Sequence, residues 1–381
     1  MYWAQSPGIA VFNIKRLSLH GIAAAALSLV LASLQVAAQA AVATPADAKA
    51  VNEAHAAKPA RASKAPKAVK PQRVVKRAPR KVVVVPATQS FGQLHGLHSG
   101  GDELALKSSV ALVVDQDTNE VLFSKNPGAV LPIASITKLM TALVVTEASL
   151  PLDEVLVVSK DDVDATAGSR SRLALGTHLT RGEMLHLSLM ASENRAAHVL
   201  GRTYPGGLQS FIAAMNGKAV ALGMLDTHYV EPTGLSSSNQ SSAQDLTRLV
   251  RAAFEHPIIR SLSTSHEAAM PVGHRTVQFR NTNGLVRNPE WDIGLQKTGY
   301  IAAAGRCLVM QTQLAGRKLI MVLLDSAGKY SRLGDAERIR KWMSEMPLAA
   351  KLPGLPGLPG LPGLPGLPVL QSLQVLTPQP R

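Results

Sequence analysis

Cysteine is almost absent from this sequence, as are the local signatures of several hydrolase classes. Cys307 is the only cysteine among 381 residues, so no disulfide can form within the chain. It lies in the apolar, strand-like run 306–312, and we expect it to pack in the core. The sequence has no H-E-x-x-H motif for zinc and no G-x-S-x-G turn for the serine of a Ser-His-Asp hydrolase. We therefore expect neither a metal nor a cofactor. Four histidines are interpreted as surface or core residues rather than ligands: His95, His98, His178 and His186.

The first 40 residues have the pattern of a secretory signal. Lys15 and Arg16 precede the apolar run Leu17–Val36, which ends in small residues with an A-x-A step at 38–40. We predict a signal peptide over residues 1–40 and export to the periplasm. Retention of this segment as an uncleaved anchor stays open.

Acidic residues are also few, with 26 Asp and Glu against 40 Lys and Arg. Much of the positive charge lies in 41–87, where eleven basic residues stand against Asp47 and Glu53. Rich in Ala, Lys, Pro and Val, this segment is predicted to be a disordered basic linker. It either contacts a membrane surface or wall polymer or serves as a solvated spacer. Nucleic acid is not an expected partner, because the basic groups are not on a folded face and the chain is predicted to be exported.

The C-terminal segment is a simple repeat. After Lys351, the triplet Leu-Pro-Gly recurs through Gly366. Glycine at every third residue resembles collagen, but so few triplets would not hold a triple helix. We interpret residues 349–381 as an extended, disordered tail. The remaining segment, 88–348, is predicted to be one catalytic domain.

This central segment has strand patterns at both ends and helical patterns between them. Two hairpins are predicted from β-rich runs: 109–114 with 121–124, and 307–314 with 318–324. Apolar periodicity predicts five helices: 135–148, 183–190, 194–202, 207–222 and 245–254. Thr180 with Glu183, and Ser242 with Asp245, have the spacing of a capping box. The order predicts an α+β fold in which both ends of the domain complete an antiparallel sheet flanked by helices, with a helical subdomain.

The first predicted helix opens with the spacing of a serine nucleophile and a lysine base. In Ser135-Ile136-Thr137-Lys138, the i, i+3 spacing places hydroxyl and amine on one helix face, about 5–6 Å apart at Cβ. The amine must be neutral to accept a proton, so its pKa must fall from about 10.4. Burial or a nearby cation would lower it, and Lys297 is a candidate for that cation. A second S-x-x-K, at 326–329, follows a strand and is interpreted as a loop.

Two further triplets follow in a characteristic order. Ser192-Glu193-Asn194 lies between two predicted helices, and Lys297-Thr298-Gly299 lies where the chain enters the terminal strands. A glycine there would let a substrate backbone approach closely. Each triplet is common alone, and S-x-N also occurs at 124–126 and 237–239. The ordered set S-x-x-K, S-x-N, K-T-G is typical of enzymes that form an acyl-enzyme on serine.

Four sequence blocks extend this pattern to a family resemblance: P-I-A-S-I-T-K-L-M at 132–140, S-E-N-R-A-A at 192–197, E-P-T-G-L-S at 231–236, and Q-K-T-G-Y at 296–300. With them, region 91–346 resembles the serine-type D-Ala-D-Ala peptidases, the low-molecular-mass penicillin-binding proteins, and within these the endopeptidase members. The resemblance implies a β-lactamase/transpeptidase-like, penicillin-binding fold. It also implies peptidoglycan stem peptides as substrates and β-lactams as covalent inhibitors.

The resemblance further implies a role for each motif residue. The implied catalytic group is the nucleophile Ser135, the general base Lys138 and the proton shuttle Ser192. The implied substrate-binding group is Asn194 for the substrate amide, Lys297 and Thr298 for the far end of the substrate, and Gly299 and Tyr300. Backbone N–H groups of Ser135 and Tyr300 would form the oxyanion hole.

Glu193 and Tyr300 depart from the carboxypeptidase members of that family. Those proteins usually have Gly and His at these positions, and they continue into a β-rich domain and an amphipathic anchor, whereas only the repeat follows Lys351 here. An endopeptidase is therefore favoured over a D-Ala carboxypeptidase. A β-lactamase is less favoured because the middle helices show no separate E-x-x-x-N element for deacylation. A non-catalytic wall-peptide binder is also less favoured, because it would not need a nucleophile and base.

Overall fold

A five-stranded antiparallel sheet is built from both ends of the described chain. The structure is a computed structural model that describes residues 88–346; the predicted signal peptide, basic linker and repeat tail lie outside the described residues. The strands, in chain order, are β1 Ser108–Asp115, β2 Val121–Lys125, β3 Leu131–Pro132, β4 Val155–Val157, β5 His178–Thr180, β6 Gln240–Ser241, β7 Glu267–Val272, β8 Arg275–Arg280, β9 Asp292–Ile301, β10 Gly305–Leu314 and β11 Arg317–Ser326.

The main sheet has the strand order β2-β1-β11-β10-β9, so the N-terminal hairpin lies beside the C-terminal one and β9 is an edge. Both predicted hairpins are confirmed. The β10–β11 turn is Ala315-Gly316, and both residues have positive φ, 51° and 80°. Such a turn matches the right-handed twist of the flanking strands, which fixes their register.

Helices occupy the middle of the chain and its end. They are α1 Phe91–Leu94, α2 Thr137–Glu147, α3 Lys160–Ala165, α4 Arg181–Met190, α5 Asn194–Arg202, α6 Gly207–Ala221, α7 Ala243–Phe254, α8 Pro257–Thr264 and α9 Ser331–Glu345. All five predicted helices are present, and the α+β class is confirmed. The β7–β8 hairpin, α8 and α9 were not predicted.

The two predicted capping boxes have different outcomes. Thr180 accepts a hydrogen bond from the backbone of Glu183, and the Glu183 carboxylate accepts one in return, as predicted. Ser242 caps α7 in the same way. The carboxylate of Asp245 instead accepts hydrogen bonds from Asp226 and Thr227. Only the Ser242 half of the second capping box is therefore formed, because tertiary hydrogen bonds engage the carboxylate of Asp245.

The sheet is buried on both faces, which explains the continuous apolar runs in its strands. Alternate residues of β1 enter two core clusters: Val110 and Leu112 lie in the cluster with the middle helices, and Ala111 and Val113 lie in the cluster with α9. Cys307 is completely buried, as predicted, and burial raises the pKa of its thiol to about 12. None of the helices within residues 88–346 combines the length and the hydrophobicity of a transmembrane span.

Candidate active site

The predicted nucleophile, Ser135, lies on a tightly constrained turn. Ser135 lies in the 3-10 turn Ala134–Ile136 that leads into α2, and Ala134 has a φ of 48°. A Cβ at Gly234 would lie 1.9 Å from the carbonyl oxygen of Ala134, and a Cβ at Gly299 would lie 3.2 Å from the backbone nitrogen of Ser135. Glycine at 234 is required both by this approach and by its φ of 78°. The loop at 231–236 and the edge strand β9 thus hold the backbone of Ser135 from two sides.

The amine of Lys138 lies one helical turn beyond Ser135, as the spacing predicted. Its Nζ is 2.9 Å from Ser135 Oγ, 2.7 Å from Asn194 Oδ1 and 2.5 Å from the carbonyl oxygen of Thr233. Asn194 Oδ1 and the carbonyl of Thr233 can only accept hydrogen bonds. A neutral amine has two N–H groups and one lone pair. When these two oxygens take the N–H groups, the lone pair is left for the hydroxyl of Ser135.

Burial makes this neutral form accessible. Lys138 is completely buried, and desolvation lowers its pKa to about 7. The carboxylates of Glu231 and Glu193 act in the opposite direction and raise it. Of the two causes that the sequence offered, burial therefore accounts for the shift. A substantial fraction of Lys138 is neutral at neutral pH, as a general base requires.

A second buried lysine holds Ser192. Lys297 Nζ donates hydrogen bonds to Ser192 Oγ at 2.8 Å and to the carbonyl oxygen of Thr298 at 2.8 Å. Burial lowers the pKa of Lys297 well below its ordinary value, and the charges of Lys138 and Arg332 lower it further. Ser192 has a φ of 58°, a conformation uncommon for serine. Its strained backbone directly precedes α5, which carries Asn194.

The motif residues converge on one cleft of about 820 Å³. Six of the predicted site residues line it: Ser135, Ser192, Asn194, Thr298, Gly299 and Tyr300. Lys138 and Lys297 lie beneath this surface, completely buried, and reach the cleft through the two serines. Among residues 88–346, no cluster of three or more His, Cys, Asp or Glu side chains is arranged to hold a metal ion.

Two cleft residues were missed by sequence reasoning. Thr282 Oγ1 lies 2.6 Å from Thr298 Oγ1 and thereby orients the hydroxyl of the K-T-G threonine. Arg332, at the start of α9, lines the cleft with Nε and Nη1 buried and without a hydrogen-bond partner among the described residues. Burial lowers its pKa, and the charge of Arg306 lowers it further. Neither residue belongs to a motif, so no local signal marks it.

The glutamate of the S-x-N triplet holds the opposite wall of the cleft. The carboxylate of Glu193 accepts hydrogen bonds from Ser171 Oγ at 2.7 Å and from Arg172 Nε at 3.2 Å. Arg172 also stacks on Phe279, 3.9 Å from the ring centroid. The segment 165–170, which immediately precedes these residues, lines the cleft. Glu193 therefore links the catalytic motif to the loop that faces β9.

A serine hydroxyl hydrogen-bonded to a buried lysine, between an antiparallel sheet and a helical region, is the arrangement typical of serine acyl-transfer enzymes with penicillin-binding folds. A family model described as D-alanyl-D-alanine carboxypeptidase matches residues 98–328. The chain belongs to this family, the S11 family of serine-type D-Ala-D-Ala peptidases.

Curated relatives of the chain support this family assignment. The chain is 49% identical over 253 residues to a D-alanyl-D-alanine endopeptidase of Pseudomonas aeruginosa, covering 65% of this chain and 82% of the relative. It is 48% identical over 250 residues to the Escherichia coli protein of the same name, covering 64% and 81%.

Its structure is similar to the Streptomyces K15 DD-transpeptidase, with a TM-score of 0.59, 26% identity and coverage of 63% and 98%. A D-alanyl-D-alanine carboxypeptidase of Mycobacterium tuberculosis gives a TM-score of 0.56 at 27% identity, with coverage of 63% and 92%. The predicted penicillin-binding fold is confirmed.

Proposed function

We propose that this protein is a penicillin-sensitive D,D-endopeptidase that hydrolyses D-alanyl cross-links in peptidoglycan through an acyl-enzyme on Ser135. The observation that carries the proposal is the hydrogen-bonding of Lys138, whose two carbonyl-type acceptors leave its lone pair for the hydroxyl of Ser135. The endopeptidase names of the relatives support the choice of bond.

Acylation begins with the carbonyl carbon of the cross-linking D-Ala above Ser135. As Ser135 Oγ attacks, its proton passes to Lys138 Nζ and a C–O bond forms. The negative charge moves to the former carbonyl oxygen, which the N–H groups of Ser135 and Tyr300 stabilise in the oxyanion hole. The hydrogen bond that Lys138 Nζ donates to Asn194 Oδ1 keeps the base in place throughout this step.

Collapse of this intermediate breaks the C–N bond. The proton that Lys138 accepted passes through Ser192 Oγ, which Lys297 holds by a hydrogen bond, to the leaving amine, and Lys138 is neutral again. Water then attacks the ester on Ser135 and gives its proton to Lys138. As the C–O bond to Ser135 breaks, this proton passes from Lys138 to Ser135 Oγ, and the free enzyme returns. Each step uses a group already hydrogen-bonded in the resting site, so little reorganisation is needed.

The cations of the cleft suit an anionic substrate. A carboxylate next to the scissile nitrogen would lie beside the guanidinium of Arg332 and accept a hydrogen bond from the hydroxyl of Thr298. The same carboxylate would favour protonation of Lys297, whose pKa is depressed partly by neighbouring positive charge. The bound carboxylate would therefore neutralise positive charge of Arg332 and Lys297.

A D-Ala carboxypeptidase is the second candidate. The family description names that activity, and the same residues would release a terminal D-Ala by the same steps. The two functions differ only in what the leaving amine carries. The endopeptidase is preferred because both relatives near 50% identity bear that name.

We also propose that the protein acts in the periplasm, in wall remodelling that affects cell shape. The sequence of residues 1–40 supports export, and the basic segment 41–87 supports contact with a membrane surface or wall polymer.

The deciding experiment is digestion of purified cross-linked muropeptide dimers by the protein, followed by mass spectrometry. Ser135→Ala protein and penicillin-treated protein serve as controls. Conversion of dimers to monomers that is lost in both controls is the expected result. Release of free D-Ala alone would identify a carboxypeptidase, and the absence of any Ser135-dependent product would contradict both functions.

A further inference from the structure

A second cavity adjoins the cleft on the far side of Tyr300. It has a volume of about 390 Å³ and shares Tyr300 and Ala302 with the cleft. Arg306 and Lys329 also line it, and we call it the basic pocket. It lies beyond the three motifs, and none of the steps derived above uses it.

The basic side chains of this pocket have no acidic partner. The guanidinium of Arg306 stacks 4.3 Å from the ring centroid of Tyr300, and the ammonium of Lys329 lies 5.2 Å from that of Tyr330. Within residues 88–346, neither side chain has a carboxylate oxygen within 4.0 Å, although many other basic residues of the domain do. The two charges are therefore not neutralised by the protein.

The one carboxylate in the wall of the pocket is already engaged. Asp325 Oδ2 lies 3.0 Å from His98 Nε2 and accepts a hydrogen bond from Ser109 Oγ at 3.0 Å. Asp325 is 2% exposed, and its carboxylate packs where a Cβ on Gly92 or Gly305 would lie. It supports the floor of the pocket rather than balancing Arg306 or Lys329.

The positive charge continues from the cleft into the pocket. The positive charge of Arg306 lowers the pKa of Arg332 in the cleft. Lys329 is three residues before Arg332 in the segment that leads into α9. A peptide whose first carboxylate lies at Arg332 would meet Arg306 and Lys329 next. Unpaired cations in a concave surface attract a ligand of opposite charge.

We propose that the basic pocket binds a carboxylate of the second stem peptide, the strand that departs with the amine when the cross-link is cut. This inference rests on the proposed function. The acyl strand is common to cross-linked and terminal D-Ala substrates, but only a cross-linked substrate has a long leaving strand. A subsite for that strand would therefore distinguish endopeptidase from carboxypeptidase substrates, which the three motifs cannot do.

The first test changes Lys329, which lies outside the cleft. Lys329→Gln should lower kcat/KM on cross-linked dimers about threefold, and Lys329→Glu about tenfold, as expected for an exposed ionic contact that is removed or reversed. Both losses should shrink as salt is added. The rate of acylation by penicillin, which has no leaving strand, should be unchanged. Lys341→Gln, an exposed lysine farther along α9, is the matched control.

The second test changes the substrate instead of the protein. Dimers amidated at the leaving-strand carboxylates other than the one beside the scissile nitrogen should be cut about threefold more slowly by the wild-type protein. The Lys329→Gln variant should no longer distinguish acid from amide, because the two changes remove the same contact.

The outcomes separate this inference from the proposed function. Equal loss of dimer cleavage and penicillin acylation, or no loss of either, would overturn the basic pocket while wild-type cleavage of dimers upholds the endopeptidase. Penicillin acylation without dimer cleavage by the wild-type protein would overturn the endopeptidase and the pocket together.

Discussion

The two sides of the cleft each bury one lysine, but they surround it with opposite charges. On the helical side, Lys138 lies near Glu193 and Glu231, which raise its pKa against the effect of burial. On the sheet side, Lys297 lies near Lys138 and Arg332, which lower its pKa in addition to burial. The two lysines are equally buried, but the neighbouring charges shift their pKa values in opposite directions. The pKa of Lys138 is about 7. The pKa of Lys297 is well below its ordinary value, and a bound anion would raise it.

This difference suits the two lysines to the different tasks proposed for them. A base must exchange a proton near the working pH, which suits the pKa of about 7 at Lys138. A group that recognises an anion should gain its charge when the anion arrives, which suits Lys297. Four predictions test this division, in order of decreasing effect.

Replacement of the base should have the largest effect. We expect Lys138→Met to lower the rate of acylation by penicillin about 10³-fold or more, because Ser135 would lose its proton acceptor. Mass spectrometry of the acyl-enzyme over time measures this rate, with Ser135→Ala as the zero point. A rate within tenfold of wild type would show that Lys138 is not the base.

Replacement of the sheet-side arginine should weaken substrate recognition. Arg332→Gln should lower kcat/KM about 10- to 100-fold on peptides with a free terminal carboxylate, mainly through KM, because a charged hydrogen bond is lost. The same peptides with an amidated terminus should show little difference between variant and wild type. An equal loss on both would assign Arg332 to structure alone.

The depressed pKa of Lys138 should also appear in stability. Its folded-state pKa of about 7 lies below the unfolded value, so the unfolded chain binds more protons and stability rises with pH above 7. Between pH 7 and 8, wild type should gain about 1 kcal/mol more in free energy of unfolding than Lys138→Met. Denaturant unfolding at both pH values measures this, and parallel curves would contradict the shift.

The carboxylate of Glu193 should have the smallest effect, on pH dependence. Wild-type acylation should rise with pH through a midpoint near 7 as Lys138 loses its proton. Glu193→Gln should move that midpoint to lower pH, since Glu193 raises the pKa of Lys138, and should increase the rate at pH 6 about twofold. Glu290→Gln, at an exposed glutamate away from the cleft, is the control. A uniform loss at all pH values would indicate a purely structural role.

Much of this site could be predicted because its chemistry is local in sequence. Ser135 and Lys138 meet through helical spacing, and the predicted range 194–202 is that of α5. The hairpins are local for the same reason: two β-rich runs and a short turn are enough to specify them. The order of the three motifs does not by itself place them in one cleft. That prediction came from the resemblance to a known family.

The remainder depends on contacts between distant segments. Arg332 carries no motif, and its importance comes from burial beside a cleft formed by other parts of the chain. The pKa of Lys138 depends on Glu231, 93 positions away in the sequence. The strand β7 contains Pro271, which weakened its strand pattern although it pairs with β8 as a two-stranded ribbon.

The position of β9 at the edge of the sheet has a consequence for recognition. An unpaired strand edge usually invites unwanted association with other chains. Beside this cleft, the part of β9 from Thr298 to Tyr300 would offer a peptide a place to lie as an added strand, read through its main chain. Methylation of a substrate amide nitrogen should then matter more than a change of side chain, and the enzyme would tolerate variation in wall peptides while rejecting an altered backbone.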